Sequence, residues 1–126
     1  LAATAASGSA RFDASVVCPA SGTTIGKIAA GISDNLATRS ALVAMKERRK
    51  LIIVPREAPY STPHLKAMFN LSEWGAVILP ASPGFYQSPR NIEDLIDFVV
   101  ARILDQLDVD HTLGKRWTGE EVPSED

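Results

Sequence analysis

The residues with the most chemical capacity in this chain are Arg56 and Glu57, opposite charges side by side where the apolar run of "IIVPREAPYS" ends, framed by Pro55 and Pro59. An arginine can grip a phosphate through two parallel hydrogen bonds, and a glutamate among cations can carry a proton. The alternative is a structural ion pair at a strand end, although an exposed pair contributes only about 0–1 kcal/mol. Tyr60 stands beside them. Upstream, "CPASGTT" supplies Ser21, Gly22, Thr23 and Thr24. Hydroxyls, backbone N–H groups and a helix start either cradle an anion or simply cap the helix. A nucleotide P-loop is excluded, because Gly22 and Gly26-Lys27 are one residue too close and Ile28 stands where Ser or Thr is needed. Downstream, "PASPGFYQSP" offers Gly84 for a tight turn, with Phe85 and Tyr86 as aromatic surface and a phenolic hydroxyl, or as packing under the last helix.

Two further cations need weighing. Lys46 closes a helix where cations suit the macrodipole, so a solvated position is its ordinary reading. Arg102 lies about 20° round its helix from the apolar Leu95, at ~100° per residue, so its guanidinium is expected to be partly buried. It then wants an anion: a carboxylate such as Asp105, or a bound phosphate. His64, in a first helical turn, reads as a capping or packing residue, and Cys18 as a small buried one. His111 carries no signal.

Three short apolar runs must deliver these groups: residues 15–18 ("SVVC"), 51–54 ("LIIV") and 76–79 ("AVIL"). They are continuous rather than alternating, which suits strands covered on both faces, as in a parallel sheet. Helical sequence follows each. The first is followed by "GTTIGKIAAGIS" and by "DNLATRSALVAMKERRK", which opens at Asp34 or Asn35 and carries Lys46, Arg48, Arg49 and Lys50 over its last turn. The second leads into a helix capped at Ser61, with Pro63 in its first turn, that reaches about Trp74 and stops at Gly75. After the third, Ile92, Leu95, Ile96, Val99, Val100, Ile103, Leu104 and Leu107 form a helical stripe expected to be buried. The alternation predicts an α/β doubly wound parallel sheet, whose ligands bind at the carboxyl ends of the strands. The three loops would therefore face one crevice. Three strands make a thin sheet, so further strands are expected before Leu1 or from another chain.

Composition sets the outer limits. With 126 residues, 45% hydrophobic and 22% charged, the chain suits one domain with one core, and a net charge of −2 gives no field toward nucleic acid or an anionic membrane. One cysteine excludes an intrachain disulfide, and with only His64 and His111 a zinc centre is not indicated. A reduced, cytoplasmic protein is the expectation. No apolar run approaches the roughly 18 residues of a membrane span, and "LAATAASGSA" lacks the pattern of a secretory signal.

In order, "ASGS", "CPASGTT", "DNLATRSALVAMKERR", "VPREAPYSTPHLKAM", "GAVILPASPGFYQSP", "DLIDFVVARILDQL" and "KRW" resemble the UbiX-type flavin prenyltransferases, also described as phenylacrylic acid or polyprenyl-hydroxybenzoate decarboxylases. The resemblance runs from Leu1 to about Trp117. It implies a Rossmann-like, flavodoxin-like fold that is incomplete in this chain, with residues 1–117 as the C-terminal two-thirds of one flavoprotein domain and 118–126 as a tail. It also implies FMN as cofactor, a homo-oligomer (a dodecamer), and metal-independent transfer of a dimethylallyl group from dimethylallyl monophosphate to the flavin. The product, prenylated FMN, would serve a UbiD-type decarboxylase.

Residue by residue, the resemblance implies that Ser21, Gly22, Thr23, Thr24 and Arg56 bind FMN. Lys46, Glu57, Tyr86 and Arg102 would hold the substrate phosphate, with Glu57 moving a proton, and Trp117 would close the prenyl pocket. The family's opening strand and Gly-Ala-Ser-Gly loop would precede Leu1 or come from another chain. Two rivals share these features: a non-catalytic FMN-binding or assembly subunit, and a flavin-dependent cysteine decarboxylase of the same fold. The "P-x-M-N" motif of the latter is absent, since the nearest prolines precede "REAP" and "SPGF".

Overall fold

The apolar runs become three strands, β1 (Ala14–Ala20), β2 (Lys50–Pro55) and β3 (Val77–Ile78), paired in parallel in the order β1-β2-β3. The computed structural model describes residues 13–86 and 88–113. Its chain divides into two units, Leu1–Ala81 and Ser82–Asp126. In the first unit β2 is central, and Leu51 through Pro55 are all buried, as its continuous apolar sequence requires. At β1 the expected cover on both faces is not found: Val17 and Ala20 are buried, but Val16 and Cys18 are exposed. The register explains Cys18. Val17 pairs with Ile53 and Ala20 with Pro55, so β1 carries one extra residue at Cys18-Pro19. Proline has no N–H for the ladder, and a bulge forms there that re-aims the following chain.

Helices α1 (Gly22–Ala29), α2 (Leu36–Lys46) and α3 (Thr62–Glu73) complete the unit. Ile25 and Ile28 of α1, Ala41 and Ala44 of α2, and Ala67 and Leu71 of α3 share one cluster with Val17, Leu51 and Ile53. Each fully buried Ile or Leu there contributes about 1.5–3 kcal/mol. The alanines let the helices sit close to the sheet.

The helix ends follow local chemistry. Ser21, Asn35 and Ser61 cap the three N-termini, Asn35 and Ser61 through reciprocal capping boxes. At the end of α2, Arg49 N–H donates to Ala44 O at 2.8 Å and Arg48 N–H to Met45 O at 3.2 Å, with Arg48 at φ 59°. That Schellman turn ends the helix at Lys46, so Arg48, Arg49 and Lys50 lie beyond the last turn in which they were expected.

The second unit is built on α4 (Ile92–Gln106), capped by Asn91, whose Oδ1 accepts from Asp94 N–H at 2.9 Å. Glu93 and Asp94 in its first turn suit the dipole. The expected buried stripe is only partly realised. Ile92, Ile96 and Val100 are exposed, whereas Asp97 and Ala101 are buried. An apolar stripe shows which surface could be covered, and here the buried residues Asp97 and Ala101 lie beside that stripe. Gly84 does not have a positive φ, and a Cβ there would lie 2.7 Å from the Tyr86 ring and 3.0 Å from that of Phe98.

Candidate functional site

The carboxyl ends of the strands are tied together by backbone hydrogen bonds. Arg56 N–H donates to Ala20 O at 2.9 Å, and Leu79 N–H and Ala81 N–H donate to Ile53 O and Pro55 O at 2.8 and 3.4 Å. Ala20, Arg56 and Ala81 therefore line one edge, and the bulge delivers Ser21 to it as the cap of α1. Ser21 Oγ accepts from Thr24 N–H at 3.2 Å.

Glu57 crosses this edge. Its Oε1 accepts from the Gly22 N–H at 2.7 Å, a contact between residues 35 apart in the chain. The length is that of a charge-assisted bond, and a carboxylate at a helix N-terminus is stabilised by the dipole. The structural Arg56–Glu57 ion pair is therefore not what forms. Arg56 is exposed and makes no ion pair among the described residues. Glu57 is half-buried, and its Oε2 makes no hydrogen bond among the described residues, which leaves that oxygen able to take or give a proton.

After the cap, the Gly22, Thr23 and Thr24 amides of α1 have no partner within the helix, whose ladder opens with Ile25 N–H to Ser21 O. Gly22 N–H goes to Glu57 and Thr24 N–H to Ser21 Oγ. The Thr23 N–H is left, beside the hydroxyls of Ser21 and Thr23 on an exposed surface. This donor set fits a phosphate-bearing cofactor.

One wall of the site was not foreseen. The His64 imidazole lies against Gly22 so closely that a Cβ on Gly22 would overlap its Nε2 and Cε1. The capping role read for His64 is also present: Nδ1 accepts from Ser61 N–H and Ser61 Oγ accepts from His64 N–H, both at 3.3 Å. No spacing rule could have placed its ring on a helix forty-two positions upstream.

Ser21, Gly22, Thr23, Thr24, Arg56 and Glu57 are thus brought to one edge. Lys46 is not among them. It is exposed at the C-terminus of α2, four residues before β2 begins, so the six residues of β2 separate its end of the sheet from Arg56. At about 3.3 Å per residue that is roughly 20 Å. A cleft of about 320 Å³ opens at this amino edge, lined by Arg48, Arg49, Lys50 and Trp74 among others, and none of the expected site residues lines it.

In the second unit Tyr86 is exposed and meets Phe98 edge-on, with ring centroids 6.1 Å apart and planes at 89°, the aromatic packing weighed for this loop. Arg102 is partly buried, as helical geometry required, and its Nη1 is 3.5 Å from Asp105 Oδ2. Asp105 Oδ1 also meets His111 Nε2 at 2.6 Å. Trp117 lies outside the described residues.

A family model described as Flavoprotein matches residues 1–104. The chain belongs to this family. It is 59% identical over 111 residues to the flavin prenyltransferase UbiX of Thermoplasma acidophilum, covering 88% of this chain and 62% of that protein. It is 51% identical over 121 residues to the Pseudomonas aeruginosa UbiX, covering 96% and 58% respectively. The chain thus spans about three fifths of the length of these relatives. Among solved structures, AnUbiX in complex with FMN and dimethylallyl pyrophosphate superposes with a TM-score of 0.86 at 42% identity, over 98% of this chain and 63% of that one. A dodecameric FMN-dependent UbiX-like decarboxylase from Escherichia coli O157:H7 gives 0.83 at 46% identity, over 86% and 59%. The parallel sheet with its helices is therefore flavodoxin-like, as the sequence led us to expect.

Proposed function

We propose that this chain is part of a flavin prenyltransferase that transfers a dimethylallyl group from dimethylallyl monophosphate to FMN. The observation that carries the reading is the Glu57 carboxylate, held at 2.7 Å on the Gly22 amide with Arg56 exposed beside it. FMN, when bound in its reduced form, would supply the nucleophilic nitrogen that accepts the prenyl group. Ser21, Gly22, Thr23 and Thr24 hold it at the start of α1 and Arg56 faces it as a cation. The Glu57 carboxylate would take the proton that the reduced flavin nitrogen loses on alkylation and pass it to the departing phosphate. An allylic phosphate needs cations on its leaving group, and Lys46 and Arg102 take that role with Tyr86. Trp117 closes the prenyl pocket.

Lys46 cannot reach the crevice of its own copy across roughly 20 Å of strand. Joint action with Glu57 on one phosphate therefore requires a second copy, which supports a homo-oligomer. The product would pass to a UbiD-type decarboxylase in the cytoplasm, and no helix among the described residues is long and apolar enough to cross a membrane.

The test uses the purified assembly with FMN, a chemical reductant and dimethylallyl monophosphate under anaerobic conditions, following prenylated FMN by mass. Flavin-loaded protein that forms no prenyl adduct under these conditions would replace this reading with that of a non-catalytic flavin-binding subunit.

A further inference from the structure

We propose that His64 is a positioning residue for the Glu57 carboxylate, acting through Gly22; the inference rests on the reading of Glu57 as the proton-transfer group. Residues 57–64 form a closed circuit. Glu57 accepts from Gly22 N–H at 2.7 Å, the His64 ring presses on Gly22, and His64 Nδ1 accepts from Ser61 N–H at 3.3 Å. Each contact fixes the next. Because Nδ1 accepts from an amide, the neutral ring carries its proton on Nε2, and the Nε2–Cε1 edge is the one that abuts Gly22.

Gly22 gives an independent argument. Gly22 is the first residue of α1, and a glycine is commonly explained by a positive φ. Gly22 has none, since the positive-φ glycines are Gly31 and Gly75. The three atoms nearest to a side chain built at position 22 all belong to the His64 imidazole. Capping does not require that ring either, because the residue in this place of a capping box is commonly Glu or Gln. The imidazole thus braces the first turn of α1 and with it the amide that aims Glu57. Loosening that brace moves the carboxylate relative to its substrate, and a misplacement of about 1 Å can cost up to 10²-fold in rate.

His64→Gln separates the two roles, since it keeps an acceptor for Ser61 N–H and removes the ring. In the FMN-loaded assembly we expect a near wild-type melting point, flavin affinity and KM for dimethylallyl monophosphate, with kcat lowered by about 10- to 100-fold. Hydrogen exchange of the Gly22 amide should accelerate in parallel. Gly22→Ala should lower kcat in the His64 background, and its effect should shrink in the His64→Gln background, where the overlap is gone. A His64→Gln protein with wild-type kcat and wild-type Gly22 exchange would reduce His64 to a helix cap and overturn the proposal. Should the wild-type assembly transfer no prenyl group, the proposed activity fails, while Gly22 exchange in His64→Gln still decides whether the ring braces the amide.

Discussion

Glu57 in the first unit and Arg102 in the second are both charged groups that the sequence singles out for a phosphate, yet they are fixed in opposite ways. Glu57 meets an amide 35 residues away at 2.7 Å, across two strand ends. Arg102 meets Asp105 three residues on, at 3.5 Å, with 40% of its side chain exposed. A local pair of that kind contributes on the order of 0.2–0.5 kcal/mol and could form on an isolated helix. The placement of Glu57 is thus a product of the sheet, whereas the Arg102–Asp105 pair is set within one turn of its own helix. One contact is long-range and the other local.

The largest effect is expected where the group with the long-range contact loses its charge. Glu57→Gln preserves an oxygen for the Gly22 amide, so flavin binding and fold should persist while prenyl transfer slows by about 10²- to 10⁴-fold. Single-turnover mass measurements alongside flavin fluorescence read both. Unchanged turnover would make Glu57 a cap for α1 and nothing more, and the contrast with Arg102 would lose its functional meaning.

Next in size is the locally paired group. Arg102→Ala should raise the KM for dimethylallyl monophosphate well above any change in FMN affinity, because a charge-assisted contact contributes about 1.5–3 kcal/mol. Arg102→Lys should recover part of this, since an ammonium cannot reproduce the two-pronged grip. If the melting point falls while KM stays put, Arg102 is a structural residue and not a phosphate ligand.

The same contrast decides how much was legible in the sequence. Local rules recovered the caps at Asn35 and Ser61, the stop at Gly75, the apolar cores of the strands, the capping role of His64 and even Asp105 as a partner for Arg102. Each is set within a few residues. What escaped is long-range or emergent. The Glu57–Gly22 bond and the His64–Gly22 contact join segments that no periodicity relates. Cys18 looked buried because its run is apolar, but Pro19 breaks the ladder and bulges the strand outward. The α4 stripe was legible as a pattern and not as an orientation.

Ser21 sharpens the comparison from the crevice side, because it caps α1 and is also assigned to FMN. Ser21→Ala should cost about 0.5–2 kcal/mol of stability, whereas Ser21→Gly should cost only a few tenths. If the hydroxyl also contacts the cofactor, both variants lose FMN affinity to a similar degree despite their different stabilities. A flavin affinity that tracks stability across the two would leave Ser21 as a cap alone, a local residue after all.

The smallest effect is a matched pair, one member in each unit. Arg48 ends α2 and Asp108 follows α4, both at φ 59°, with closely similar turns: Arg49 N–H to Ala44 O at 2.8 Å, and Val109 N–H to Leu104 O at 3.0 Å. An ordinary side chain in this left-handed conformation costs roughly 1–2 kcal/mol, a penalty that Asp partly escapes by bonding locally. Glycine removes the penalty but gives back part of the gain through the entropy of the unfolded chain. Arg48→Gly should therefore raise the melting point of the assembly by a few degrees, and Asp108→Gly by less, with turnover unchanged in both. The opposing force is electrostatic, since Arg48 also sits where a cation favours the end of the α2 dipole by about 0.3–1 kcal/mol. Arg48→Asn tells the two apart, because Asn tolerates the conformation yet carries no charge. If both Arg48→Gly and Arg48→Asn lower the melting point, the cation at the amino edge outweighs its strain. That edge would then be held by charge, as the carboxyl edge is held by Glu57.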